Sequence, residues 1–349
     1  MTQDAISPRA TRWIRRWLVL IGLMVYAMIL IGGATRLTDS GLSITEWDPI
    51  KGALPPLGDE AWNDLFDKYK TTAEFRQQNY NMTLSEFQYI FWWEWGHRLF
   101  GRLIGLVALL GLAVFAARKW LTRGWLVRLL VLIGLGGLQG AIGWWMVASG
   151  IGDTARVDVA PYRLATHFGL ALLIIGVTAW YWLDLGGKRK SAVPGSARVW
   201  AIGLLILVCV QMLAGALVAG LDAGRTYTDW PLMAGELFPG NYVEGELGLR
   251  SLFEGRAATQ FNHRTLAYLL WALSVLAAVL HLQTRVRNGF VVLATVTSLQ
   301  AVWGILTLLN GAPLVLALAH QALGVVVVLL AVRLTWQTVR VPGSKIRTG

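Results

Sequence analysis

E-W-G-H-R-L-F-G-R-L-I-G-L-V-A-L-L-G-L-A-V-F, residues 94–115, joins a histidine and two arginines to an apolar run that continues to 117. Such a run matches the roughly 20 residues that a helix needs to cross a bilayer. Similar runs lie at 17–35, 127–148, 163–183, 199–220, 264–282, 289–309 and 314–335, which predicts eight transmembrane helices. With 55% hydrophobic and 15% charged residues, the expected fold class is an all-α polytopic membrane protein, and a soluble globule is excluded. The first run is too long for a secretory signal and lacks a small-residue cleavage site, and the segment before it does not read as a transit peptide.

The net charge of +11 raises the question of nucleic acid, but its distribution answers it. With the N-terminus inside, the inner segments hold 18 of the 31 Lys/Arg and only Asp4 and Asp184 of the 20 acids. That asymmetry is the positive-inside pattern. It predicts both termini in the cytoplasm, a lipid bilayer as the partner, and no nucleic acid. Cys209 is the one cysteine, within the fifth span, so neither a disulfide nor a thiolate metal cluster is expected.

The chain reads as a four-helix unit written twice. H-R at 97–98 returns at 263–264, L-Q-G-A-I-G-W at 138–144 returns as L-Q-A-V-W-G-I at 299–305, and P-Y-R-L-A-T-H at 161–167 returns as P-L-V-L-A-L-A-H at 313–320. Four helices separate corresponding elements, so the halves enter the membrane the same way round, as two pseudo-symmetric parallel four-helix bundles. The expected division is an N-terminal half at 1–185, a cytoplasmic linker at 186–198 and a C-terminal half at 199–349. Each half carries a long outer loop, 36–93 and 221–262. The first holds Trp62, Phe66, Tyr69, Phe75, Tyr80, Phe87 and Tyr89, which predicts short amphipathic helices at the outer interface.

Four histidines carry the chemistry. His97, His167, His263 and His320 fall near the starts of the second, fourth, sixth and eighth spans, within about two turns of the outer ends. A buried imidazole is costly in lipid unless something binds it, and paired imidazoles on facing helices are how proteins hold haem iron. Zinc gathers three or four ligands at one point, whereas here they come in twos, which points to two haem irons. Four ligands permit three pairings, and the cross-half ones stay open. His281 lies 18 residues after His263, about 27 Å along a helix, and has no counterpart in the other half. It reads as an ordinary interfacial residue.

Arg98 and Arg264 follow two of the ligands, and Arg102 lies one turn on. Haem carries two propionates, which the arginine fork matches, so these three are candidate cofactor contacts, with Arg36, Arg163 and Arg225 behind them. The glycines Gly96, Gly101, Gly105, Gly140, Gly143 and Gly304 would let helices or a flat porphyrin approach closely. Aligning the two H-R phrases sets Glu94 opposite Gln260. Glu94 shares a helix face with His97 three residues on, and a carboxyl there should resist ionisation and could shuttle protons. One half therefore looks equipped for catalysis.

E-W-G-H-R-L-F-G-R at 94–102 resembles the haem A synthase family, as do G-G-A-T-R-L-T-D-S-G-L-S-I-T-E-W-D-P-I-K-G-A-L-P-P at 32–56 and L-Q-G-A-I-G-W-W-M at 138–146. F-N-H-R at 261–264, L-Q-A-V-W-G at 299–304 and A-H-Q at 319–321 extend the resemblance across nearly the whole chain. It implies a membrane oxidoreductase that oxidises the C8 methyl group of haem O to a formyl group by successive hydroxylations, giving haem A for respiratory terminal oxidases. Carried onto this sequence, Glu94, His97 and His167 would face the substrate haem, and His263 and His320 would ligate haem b. The resemblance also implies haem O synthase and terminal-oxidase assembly factors as partners, and a bacterial inner membrane with the haem sites near its outer face. Some bacterial members carry a cysteine pair in the first outer loop. The loop at 36–93 has none, so the electron donor is unknown and does not act through such a disulfide. The residues by themselves also fit a di-haem electron carrier, which gains nothing from Glu94, or, from the repeat alone, a transporter with a midplane site.

Overall fold

Eight helices of the computed structural model are long and apolar enough to cross a membrane, one at each predicted run, and the chain is a multi-pass membrane protein. The structure describes residues 6–48, 50–152, 154–186 and 193–339. Most of the expected linker, 187–192, lies outside them, as do Asp4, Arg340, Lys345 and Arg347. In chain order the α-helices are α1 (Pro8–Leu37), α2 (Asp59–Lys70), α3 (Ala73–Gln77), α4 (Leu84–Ala117), α5 (Arg123–Val147), α6 (Pro161–Gly186), α7 (Gly195–Gly220), α8 (Ser251–Glu254), α9 (Arg256–Leu280), α10 (Arg287–Leu309) and α11 (Leu314–Thr338). Among the described residues there is no β-strand beyond one isolated bridge between Met233 and Glu236.

The helix starts follow from their caps. Ser7 caps α1 with Pro8 in its first turn, and Thr122 accepts from the amide of Trp125 to open α5. Thr83 and Glu86 form a reciprocal capping box that starts α4 at Leu84, well before its apolar run. His97 therefore lies thirteen residues into α4, about 20 Å from its start, and not within two turns of it. The expectation of a shallow start holds for His167, His263 and His320 alone. Apolar periodicity marks where lipid begins, whereas a capping box marks where the helix begins.

The extra turns of α4 answer the aromatic loop. Phe66 and Tyr69 of α2 stack on Phe87 of α4 at 5.1 and 5.3 Å, and Trp62 meets Phe91 edge-on at 5.0 Å. The predicted helices are present as α2 and α3, but their aromatic faces make a small core against α4. Tyr80 and Tyr89 stay exposed. In the second outer loop Phe238 and Tyr242 pack on Phe261 of α9 at 5.0 and 5.6 Å.

Helices α1, α4, α5 and α6 pack in a closed order, α1 on α4, α4 on α5, α5 on α6 and α6 on α1. The same order recurs as α7 on α9, α9 on α10, α10 on α11 and α11 on α7. Contact between these two sets runs through α1, α6, α7 and α11, where Leu18, Ile175, Leu204, Val208, Val325 and Ala331 are buried. The outward faces of α4 and α10 show Leu106, Leu109, Leu110, Leu299, Val302 and Leu306 instead, which is tolerable only against lipid. At the outer rim Arg36 closes α1 on three carboxylates, Asp39 at 2.7 Å, Asp158 at 3.5 Å and Asp222, just after α7, at 2.6 Å.

Candidate functional site

The glycines that matter are set by what their missing Cβ leaves room for. A Cβ added at Gly143 of α5 would lie 2.8 Å from Cε1 of His167, at Gly215 of α7 3.0 Å from Cε1 of His263, and at Gly304 of α10 2.8 Å from Cε1 of His320. At Gly32 of α1 it would lie 3.2 Å from Nε2 of His97. Every one of the four imidazoles thus leans on a glycine of the helix preceding its own crossing. Each such glycine sits four or five residues before the end of its helix, which puts the four rings at one level. Gly96, Gly105 and Gly140 face open space, and Gly101 faces the methyl of Met28, so sequence reading named two of the four correctly. It missed Gly32 and Gly215.

The signal for three of them was a spacing. Gln139, Gln211 and Gln300 each stand four residues before Gly143, Gly215 and Gly304, one helical turn away on the same face. Their amides donate to the backbone carbonyls of His167 at 3.0 Å, His263 at 3.1 Å and His320 at 2.9 Å. The same nitrogens lie 3.0–3.4 Å from ring nitrogens of those histidines. Interhelical bonds of this kind are worth about 0.6 kcal/mol in a membrane, so their use is orientation more than stability.

His97 and His167 belong to helices α4 and α6 of one closed set of four, and His263 and His320 to helices α9 and α11 of the other. Among the described residues no three His, Cys, Asp or Glu converge as a metal cluster. The donor set is imidazole in twos, with glycine against each ring. Gln139, Gln211 and Gln300 each keep a buried carbonyl oxygen without a hydrogen-bond partner, and so does His320 Nδ1. Neutral nitrogen ligands in pairs, spaces free of Cβ and unspent polar atoms fit a haem between each pair.

His281 is apart from all of this, buried with Nδ1 on the Ala277 carbonyl at 2.8 Å and stacked on Phe290. Cys209 is free.

Glu94 is 2% exposed and fully bonded. Its Oε2 accepts from Ser43 Oγ and from the amide of Ile44, both at 2.8 Å, and Arg98 reaches Oε1 at 2.6 Å. The structure adds an ion pair to the sequence reading, because Arg98 is one turn further along the same helix face. Arg98 also donates to the carbonyls of Ile44 at 2.9 Å and Glu46 at 3.0 Å, while Arg102 reaches that of Asp48 at 2.9 Å. These arginines therefore fasten the first outer loop over α4. Arg264 repeats the device on α9, donating to the carbonyls of Tyr227, Asp229 and Leu232 at 3.1 Å each, and Gln260 joins it on Tyr227 at 2.8 Å. Arg163 is engaged with the Trp145 carbonyl.

The two clamped loops are the same phrase. T-E-W at 45–47 returns as T-D-W at 228–230, an offset of 183 that also carries Ile44 onto Tyr227 and Gly32 onto Gly215. Structure exposed this repeat because the same carbonyls are gripped in both copies. Trp47 packs at 4.9 Å on Trp144, the residue after Gly143.

One further carboxyl lies near. Glu74 of α3 is 2% exposed, its Oε2 has no hydrogen-bond partner, and burial, with the charge of Glu94 added, pushes it up to about 8.

The model of the COX15-CtaA family, cytochrome oxidase assembly protein, matches residues 15–332. A heme A synthase of Hyphomonas neptunium is 64% identical over 337 residues, covering 97% of this chain and 96% of its own. Heme A synthases of Dinoroseobacter shibae and Paracoccus denitrificans are 50% and 48% identical, covering 95% and 91% of this chain and 90% and 86% of theirs.

Proposed function

The chain belongs to the COX15-CtaA family of cytochrome oxidase assembly proteins, and from that premise we propose that it is the membrane enzyme that converts haem O to haem A. The reaction is the oxidation of the C8 methyl group of haem O to a formyl group by successive hydroxylations. What carries the reading is the difference between otherwise matching sites: Glu94 stands one turn before His97, where the other half has Gln260.

On this reading the half at 1–185 is catalytic, with haem O between His97 and His167, and the half at 199–349 holds haem b between His263 and His320. The haem iron supplies the oxygen chemistry. The chain's own part is to hold, cover and protonate. Gly32 and Gly143 leave room for the imidazoles, and Trp47 with Arg98 and the strapped loop at 44–48 restricts water at the outer edge. Glu94 holds a charge at Oε1 against Arg98 and is placed to pass a proton inward from the loop. Arg98, Arg102 and Arg264 supply positive charge at the level where propionates would emerge.

Inner-side charge excess supports an inner-membrane protein with both termini cytoplasmic and the haem pairs near the outer face. Haem O synthase and oxidase assembly factors follow as partners from the substrate and the destination of the product. An electron route through a disulfide of the loop at 36–93 is not part of this reading, since that loop has no cysteine.

The test is chromatography of haems extracted from cells that make haem O, with and without this protein. Haem A in the first and only haem O in the second is the expected result. Identical profiles refute the function.

A further inference from the structure

Three of the four histidines are held by a glutamine amide, and the fourth is not. The offset of 183 that carries Gly32 onto Gly215 carries Met28 onto Gln211. Geometry agrees with the alignment. A Cβ at Gly101, one turn after His97, would meet the Met28 methyl at 3.2 Å, and one at Gly324, one turn after His320, would meet the Gln300 amide nitrogen at 3.3 Å. Met28 therefore occupies in α1 the place that Gln139, Gln211 and Gln300 occupy in α5, α7 and α10. A thioether has no N–H, so it cannot donate to the His97 carbonyl or steady its ring.

The ring itself is turned differently. Where the other three point Cε1 at the facing glycine, His97 points Nε2 at Gly32. Nε2 is one of the two ring atoms by which an imidazole binds a metal. No hydrogen bond to the His97 ring occurs among the described residues.

We propose that His97 is the exchangeable one of the four ligands, and that Met28 is the positioning residue that leaves it so. The inference rests on the function proposed above, because an open position at iron is required only on the side where haem O reacts. It divides the two faces of the substrate haem: His167, clamped by Gln139, stays, and His97 yields to an incoming small ligand. Glutamine is close to methionine in length, so the two residues can be swapped with little change in packing volume.

Carbon monoxide is the probe, added to the reduced, haem-loaded protein and read by difference absorption. Wild-type protein should bind it at one of its two haems. Met28→Gln should weaken that binding about two- to tenfold, the weight of one neutral hydrogen bond. Gln211→Met should create carbon monoxide binding at the second haem. Each swap reads the proposal independently, so one variant that does not fold leaves the other to decide. Met28→Gln protein with unaltered affinity overturns the proposal, and so does Gln211→Met protein that gains no signal. Haem A formed by a wild-type protein that binds carbon monoxide nowhere sinks this inference and leaves the function standing. Absence of haem A with the carbon monoxide pattern intact does the reverse.

Discussion

Glu94 and Gln260 occupy the same place, three residues before a histidine and four before an arginine, and both are buried to within 3%. Around Gln260 the arginine spends its donors on loop carbonyls alone, whereas around Glu94 it divides them between carbonyls and a carboxylate. The second arrangement buries a carboxylate three residues before His97 and pairs it with Arg98 at 2.6 Å. Removing one partner of such a buried pair strands the other, so the charge is tolerated only as part of the pair. The same contact order is thus used twice, with a neutral amide at this position in one set and a carboxylate paired to arginine in the other.

Breaking the comparison most completely means removing iron ligands. His263→Ala or His320→Ala should abolish the absorption of the tightly bound b-type haem, while His97→Ala or His167→Ala leaves it. Loss of that band only with His97→Ala would exchange the roles of the halves. Next in size is Glu94→Gln, which makes the catalytic half resemble the other. It should lower haem A formation by about 10²–10⁴-fold, the usual weight of a general acid–base group, with haem b retained. Unchanged haem A formation in that variant would refute the role assigned to Glu94.

Smaller effects sharpen the picture of the ring seats. Gly304→Ala should cost about 1–3 kcal/mol and loosen haem b, measured by the temperature at which its absorption band collapses, because the new methyl meets His320 at 2.8 Å. Gly140→Ala, which faces open space, should leave that temperature where it was.

A pH-dependent effect belongs to the first long loop. The Glu74 carboxyl goes from 4.5 to about 8 on folding, so the folded chain binds the extra proton through that window. Stability should then fall as pH rises from about 4.5 through 8, and Glu74→Gln should flatten the slope. Burial is the main cause, and Glu94, Asp158 and Asp39 add to it while the Tyr69 hydroxyl opposes them. An unchanged melting profile between pH 5 and pH 8 in both proteins would show the group to be solvated.

Much of this was legible from hydropathy and repetition. Eight spans, a helical fold and histidines near the starts of α6, α9 and α11 need only apolar runs, and the pairing of histidines between halves needs only the second copy of H-R. The start of α4 was not legible, because Thr83 and Glu86 precede the apolar run by ten residues and more, and the aromatic loop gave no sign that its partner was a helix extension. The seats of the rings were half legible. Gly143 and Gly304 stood out beside quoted phrases, but Gly32 and Gly215 needed the glutamine spacing and the copy of T-E-W to be noticed first. The grip of Arg98 and Arg264 on loop carbonyls was not legible, since backbone carbonyls far away in sequence leave no mark on the residues that hold them.

Arg36 has a wider reach than its two nitrogens. Its three acidic companions come from three separate connections, one of them beyond α7, and they repel one another wherever the guanidinium withdraws. One guanidinium thus ties together the connections that follow α1, precede α6 and follow α7, and its loss would loosen all three at once.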